Sequence, residues 1–195
     1  MKLQLKKKHI VKEEMDMKIL NMYSGFNGII NVGQYCYFIE LNNNGVEYSN
    51  DKIFDIIKNF NYVVVKGNIH ENKEEIKKII KQTTKYNKKV KFEFRVDNVI
   101  KLSGLNANNV YFIISVKNNT DIKELEWFIH FNTQYIFNIQ TLDEYSNILV
   151  LITTYGLDKK DCWVVIKDTY LMEKLKQQAF EDRLNFCPDF EKILW

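Results

Sequence analysis

Six short runs rich in β-branched and aromatic residues, each followed by a stretch of different periodicity, constrain this chain most. The runs are 35–41 (YCYFIEL), 62–66 (YVVVK), 90–95 (VKFEFR), 110–116 (VYFIISV), 134–140 (QYIFNIQ) and 162–167 (CWVVIK). Each has the length and composition of a strand. Residues 62–65 and 111–114 are almost continuously apolar, which suits strands covered on both faces of a parallel sheet. The third run alternates: Val90, Phe92 and Phe94 fall on one face, and Lys91, Glu93 and Arg95 on the other.

Between the runs the apolar spacing is helical. Residues 51–59 put Ile53, Ile56 and Ile57 on one stripe, and 71–86 do the same with Ile76, Ile79 and Ile80. In 71–86 the acids come early and the lysines late, as the helix dipole prefers. Residues 120–131 open at Thr120, with Asp121 and Glu124 in the first turn and Leu125, Phe128 and Ile129 inside. Residues 141–155 begin with Thr141 and Glu144 in capping-box spacing and stop at Gly156. A last helix is expected over 169–183, and a short helix with a loop over 97–108. Six β-then-α units in series give one parallel sheet with helices outside. Periodicity leaves two forms open, an open doubly wound sheet and a partial barrel.

At 46% hydrophobic and 27% charged, the composition is that of a globular protein. A net charge of +3 does not by itself imply nucleic acid. The lysine groups 6–8, 77, 78 and 81, and 88, 89 and 91 read as solvated faces, with a polyanion contact as the alternative. No apolar run approaches the roughly 20 residues of a membrane span, and the charged N-terminus has no signal-peptide core. Cys36, Cys162 and Cys187 are far apart and odd in number, against a disulfide framework or a closed metal motif. A reduced, cytoplasmic protein is expected.

In parallel α/β folds, ligands gather at the carboxyl ends of the strands. Those ends carry Lys66 and Asn68, Glu93 and Arg95, Ser115 and Lys117, Gln140, and Lys167. The four bases among them would attract a phosphate or carboxylate. His70 and Glu71 have the chemistry of an acid–base pair, but a surface histidine and a first-turn glutamate explain them better. His9 and His130 lack metal-spaced partners. Cys187 reads as a structural thiol. There is no Walker loop, dinucleotide glycine fingerprint or serine elbow.

"YSGFNGIINVGQYCYFIEL", "VVVKGNIHENKEEIKKII", "KFEF", "IISVKNN" and "FCPDFEKILW" occur in the order of the motifs of a known family. Together they resemble the small radical S-adenosylmethionine proteins, most of all the 7-carboxy-7-deazaguanine synthase group. Activating enzymes of anaerobic ribonucleotide reductase are a looser comparison. The resemblance implies a single α/β domain over 1–195, a six-stranded parallel (βα)6 partial barrel. Residues 1–20 would be a basic lead-in and 184–195 a C-terminal tail.

The chain departs from that pattern where the chemistry lies. Family members hold a [4Fe-4S] cluster on three closely spaced cysteines after the first strand, leaving one iron open to S-adenosylmethionine. Here that place is "NNNGVEYSND", without cysteine. The Gly-Gly-Glu-Pro motif that receives the cofactor's methionine part is reduced to Gly67, Asn68, Ile69 and His70. The substrate-facing glutamate of the first glycine turn is Asn27 or Gly28, and the closing histidine is Glu191. Ser115 and Lys117 match the ribose edge. Residues 42–51 therefore read as a direct bypass from the first strand to the first helix.

The expectation is a cluster-less radical-SAM-like protein that uses neither cofactor. It would bind a partner protein or a small anionic, nucleotide-like ligand at the mouth of the barrel, and radical activity is not expected. The alternatives are repurposed, non-radical catalysis through Glu93, Arg95, Lys117 or His70, and a role with nucleic acid or deazaguanine modification. A homodimer stays open.

Overall fold

The computed structural model describes residues 16–27, 33–96, 102, 104–105, 107–116 and 122–188, with 122–124 described by their backbone. The six expected strands are present: β2 (Tyr35–Leu41), β4 (Tyr62–Gly67), β5 (Lys91–Val96), β6 (Val110–Val116), β7 (Thr133–Ile139) and β8 (Cys162–Ile166). They lie side by side in chain order, every neighbouring pair parallel.

Three further strands make nine among the described residues. β1 (Met17–Phe26) pairs antiparallel with β2, β3 (Val46–Tyr48) pairs antiparallel with the start of β1, and β9 (Asn185–Pro188) extends the other edge parallel to β8. The sheet is therefore mixed at one edge and is not closed. Both terminal boundaries shift accordingly: β1 starts inside the expected lead-in, and β9 lies in the expected tail. Neither strand shows as an apolar run. β1 is largely exposed, and β3 and β9 are too short to carry a pattern.

Residues 42–51 are more than a bypass. After β2 the chain turns at 42–45, crosses β1 beside Ile19 and becomes β3. A Cβ on Gly45 would sit 2.3 Å from the backbone carbon of Ile19, so only glycine passes there. Ser49 then caps the next helix, its hydroxyl accepting from the Lys52 N–H at 3.4 Å.

Five helices follow the pattern: α1 (Asn50–Ile57), α2 (Lys73–Tyr86), α3 (Ile122–Phe128), α4 (Leu142–Thr154) and α5 (Thr169–Glu181). The Thr141–Glu144 capping box forms in full. The α4 terminus closes with the Leu157 N–H on the Ile152 carbonyl at 3.0 Å, just past Gly156. α3 stops before Ile129, which is 37% exposed rather than inside. Thr120 and Asp121 lie outside the described residues. No helix appears among the described residues between β5 and β6, so the expected six complete units are not all seen; 97–101, 103 and 106 are not described.

All five helices bury their stripes on one face of the sheet. Ile53, Ile79, Leu125, Phe128, Ile148 and Leu175 share one core cluster with Ile39, Val63, Phe92, Phe112, Phe137 and Val164. Residues of opposite parity, Cys36, Phe38, Tyr62 and Val64, form a separate cluster on the other face, which no described helix covers. The described helices therefore do not give a doubly wound sheet. The apolar runs 62–65 and 111–114 are continuous because that second face buries side chains too, not because helices cover it. No helix among the described residues is long and apolar enough to cross a membrane.

Candidate functional site

Strand register places one residue in two on the helix-free face: Cys36, Phe38 and Glu40 on β2, Tyr62, Val64 and Lys66 on β4, Glu93 and Arg95 on β5, Ser115 on β6, and Gln134 and Asn138 on β7. Side-chain hydrogen bonds tie these positions across the strands.

At the centre is Glu93, fully buried. One carboxylate oxygen accepts from Asn27 Nδ2 at 2.7 Å and from the Tyr62 hydroxyl at 2.8 Å. The other accepts from Arg95 Nε at 2.9 Å, and Arg95 reaches on to Asn27 Oδ1 at 3.0 Å. A buried carboxylate needs this compensation, because an unpaired charge there would cost several kcal/mol. Asn27 is itself buried and fixed by its backbone, donating to the Gln34 carbonyl at 2.8 Å and accepting from Gly33 N at 2.9 Å. The quartet thus locks the turn after β1 onto β4 and β5. The Arg95 guanidinium also lies 5.5 Å from the Phe38 ring. Burial pushes the Cys36 thiol up to about 11; Glu93 adds to the rise and Arg95 opposes it.

Two more pairs continue the pattern. Asn138 Nδ2 donates to Ser115 Oγ at 3.5 Å, and Trp163 Nε1 donates to Gln134 Oε1 at 2.8 Å. A cavity of about 300 Å³ opens beside Gln134, walled by Tyr62, Glu93, Tyr111, Lys160 and Asp161 together with Phe112, Phe131 and Thr133. Burial raises the Asp161 carboxyl, Lys160 opposes that, and Asp158 adds to it. Most of these residues stand at the amino-terminal ends of their strands, opposite the mouth expected from the sequence.

The expected site residues divide. Glu93 and Arg95 come together, and Ser115 shares their face. Lys66 pairs with Glu40 at 3.2 Å, so like Arg95 it already has a carboxylate partner. Asn68 has its backbone engaged: its N–H donates to the Leu41 carbonyl at 3.1 Å and its carbonyl accepts from Asn72 Nδ2 at 2.8 Å. Gln140 follows β7, where its N–H donates to Glu144 at 2.7 Å, and Lys167 is exposed just after β8. His70 and Glu71 are exposed in the turn before α2. Lys117, Gly28, His9 and Glu191 lie outside the described residues. Sequence reasoning missed Tyr62, which reads as part of an apolar run. Its parity with Val64 was the available signal.

The residues present do not fit a [4Fe-4S] cluster. Cys36 is buried in β2, with its thiol on the Gly25 carbonyl at 3.6 Å. Cys162 and Cys187 are buried in β8 and β9, with β4, β5, β6 and β7 lying between them and β2 in the sheet. Cys162 donates to the Asp158 carbonyl at 3.4 Å, and burial pushes its thiol up to about 12. Cluster ligands must be thiolates grouped around one centre. At the position matching the cofactor's methionine site, Gly67 has φ 90° and a Cβ there would lie 2.1 Å from the Leu41 carbonyl oxygen. Ile69 after it is buried in the main core.

These features define an α/β protein with a mostly parallel sheet, helices on one face and a hydrogen-bonded polar network on the other. The crystal structure of QueE from Escherichia coli has this fold, with a TM-score of 0.66 over 89% of this chain and 94% of that chain, at 11% sequence identity. QueE is a 7-carboxy-7-deazaguanine synthase, a radical SAM enzyme. No protein-family model and no curated protein matches the chain.

Proposed function

We propose that this chain is a QueE-like scaffold that acts by binding rather than by radical chemistry, with a ligand site on the helix-free face. The observation that carries this reading is the folding of residues 42–51. The segment matching the cluster loop is a tight turn, a sheet-edge strand paired with β1 and a helix cap. The turn at 67–70 supports it, since its peptide groups bond within the protein and Ile69 fills the core.

The ligand class follows from the lining. Lys66 and Arg95 are paired with Glu40 and Glu93, which weakens the attraction for a phosphate expected from the strand ends. The cavity instead offers two tyrosine rings, the Gln134 amide and the Asp161 carboxylate, with Glu93 buried behind them and Lys160 paired with Asp158. A small planar molecule with N–H donors, of nucleobase type, suits that set.

Anaerobic reconstitution with iron and sulfide, followed by a visible spectrum, tests the first half. No retained cluster is expected, and a stable cluster that binds S-adenosylmethionine would overturn the reading. Thermal shifts with guanine, adenine, guanosine and inorganic phosphate test the second, because selective binding to the folded state raises its stability. A purine is expected to raise Tm, and Gln134→Ala to abolish the shift. Stabilisation by phosphate alone would refute the ligand class.

A further inference from the structure

Helix α2 presents two different rows. Ile76, Ile79 and Ile80 go to the core, while Lys77, Lys81 and Lys85 follow one another at helical spacing on the solvent side. Lys88 continues the row beyond the helix end. Opposite lie Gly104, Leu105, Ala107 and Asn109, and between them and the helix is an open groove of about 580 Å³ rimmed by these four lysines. Its floor is Ile80, Leu105 and Ala107.

The polar groups within the groove are already engaged. Asn109 Nδ2 donates to Thr84 Oγ1 at 3.1 Å and to the Val90 carbonyl at 3.0 Å. Lys77 bonds Glu74 at 2.7 Å and lies across Gly104, where a Cβ would come within 2.5 Å of its terminal atoms. Among the described residues no carboxylate is within ion-pair distance of Lys81, Lys85 or Lys88. The groove therefore combines an apolar floor with a rim on which Lys81, Lys85 and Lys88 have no carboxylate partner among the described residues, while Lys77 is paired with Glu74.

We propose that this groove docks an acidic segment of a partner protein, with an aliphatic side chain on Ile80, Leu105 and Ala107 and carboxylates on Lys81, Lys85 and Lys88. Charge complementarity selects an anionic partner, and the floor selects one that also carries apolar side chains. A nucleic acid fits less well, because no aromatic ring lines the groove for bases to stack on. Tyr86 turns away to meet the Phe54 ring edge-on at 5.8 Å. A small amphiphile also fits less well, since an open groove does not enclose most of a ligand's surface. This inference does not depend on the site on the helix-free face.

The test is fluorescence anisotropy on the full chain, with a fluorescein-labelled peptide of Glu and Leu as probe. Comparison probes are a Glu/Ser peptide, a Lys/Leu peptide and labelled oligothymidylate. Saturable binding of the Glu/Leu peptide is expected, weaker for Glu/Ser and absent for Lys/Leu. It should weaken about tenfold when salt rises enough to shorten the screening length severalfold. The double variant Lys81→Glu, Lys85→Glu should lose at least about tenfold in affinity. The matched control Lys174→Glu, Lys176→Glu on α5 should lose little. Ala107→Glu, an exposed substitution that leaves the core untouched, should also weaken binding. Absence of saturable Glu/Leu binding, equal losses in both double variants, or tighter binding of oligothymidylate would overturn the proposal.

Discussion

Phe112 and Glu93 are equally buried on adjacent strands, yet opposite means keep them there. Phe112 sits on the helix-covered face, with Phe128, Trp127 and Phe131 packed edge-on at 5.2, 5.8 and 6.2 Å. Glu93 sits on the helix-free face, held by Asn27, Tyr62 and Arg95. The first face needs only volume and shape, which many apolar side chains supply. The second needs particular donors at particular distances. No described helix covers it, and its polar network is the feature on which the proposed binding reading rests.

Substitutions at the two centres break this comparison most directly. Phe112→Ala should cost about 3–5 kcal/mol through the cavity it leaves. Glu93→Ala should cost about 3–5 kcal/mol by a different route, since it strands Arg95 and two further donors. Denaturant titration measures both. The sharper discriminator is a second variant at each site: Phe112→Leu should recover most of the loss, and Glu93→Leu should not. Full stability in Glu93→Leu would mean that the network is dispensable for folding, leaving ligand recognition as its remaining role.

Glu93→Gln is expected to cost less, about 1–3 kcal/mol, because shape is kept while the charge-assisted bonds weaken. It should also remove any purine-induced thermal shift.

Alkaline pH probes the thiols on both faces. Cys36, on the helix-free face, is held at about 11, and Cys162, on the covered face, at about 12, against an ordinary value of 9.0. In each case the native state keeps a proton that the unfolded chain releases. Stability is therefore full below pH 9.0 and falls as pH rises towards about 11 for Cys36 and about 12 for Cys162. Thermal melts across that window should show a declining Tm, with a shallower decline in Cys36→Ala. In the native protein at neutral pH both thiols should react with a disulfide reagent far more slowly than in urea. Fast native labelling of Cys36 would show that the helix-free face opens.

Thr141→Ala should have the smallest effect, about 1 kcal/mol from the lost helix cap. It leaves both faces unchanged, so a larger loss would mean that α4 contributes more to the covered face than its packing suggests.

The elements legible in the sequence are those whose partners are periodic. The strand runs, the helical stripes of 51–59 and 71–86 and the Thr141–Glu144 cap all arise from local spacing, and each forms nearly where that spacing puts it. β1, β3 and β9 carry no such signal, because β1 is largely exposed and the edge strands β3 and β9 are very short, so backbone pairing holds them. Glu93 and Arg95 were visible as strand-end candidates, but their partners Asn27 and Tyr62 are 66 and 31 residues from Glu93. Only the register of β1, β2, β4 and β5 brings them together.

By itself the sequence determined an alternating α/β chain with a mostly parallel sheet and no grouping of cysteines, since composition and periodicity act over a few residues. The tertiary structure alone decided that the described helices lie on one face, that 42–51 becomes a sheet edge, and that Lys66 and Arg95 at the strand ends pair with Glu40 and Glu93. Those outcomes depend on which surfaces meet across the sheet, and nothing in local spacing encodes the neighbour a side chain will find there.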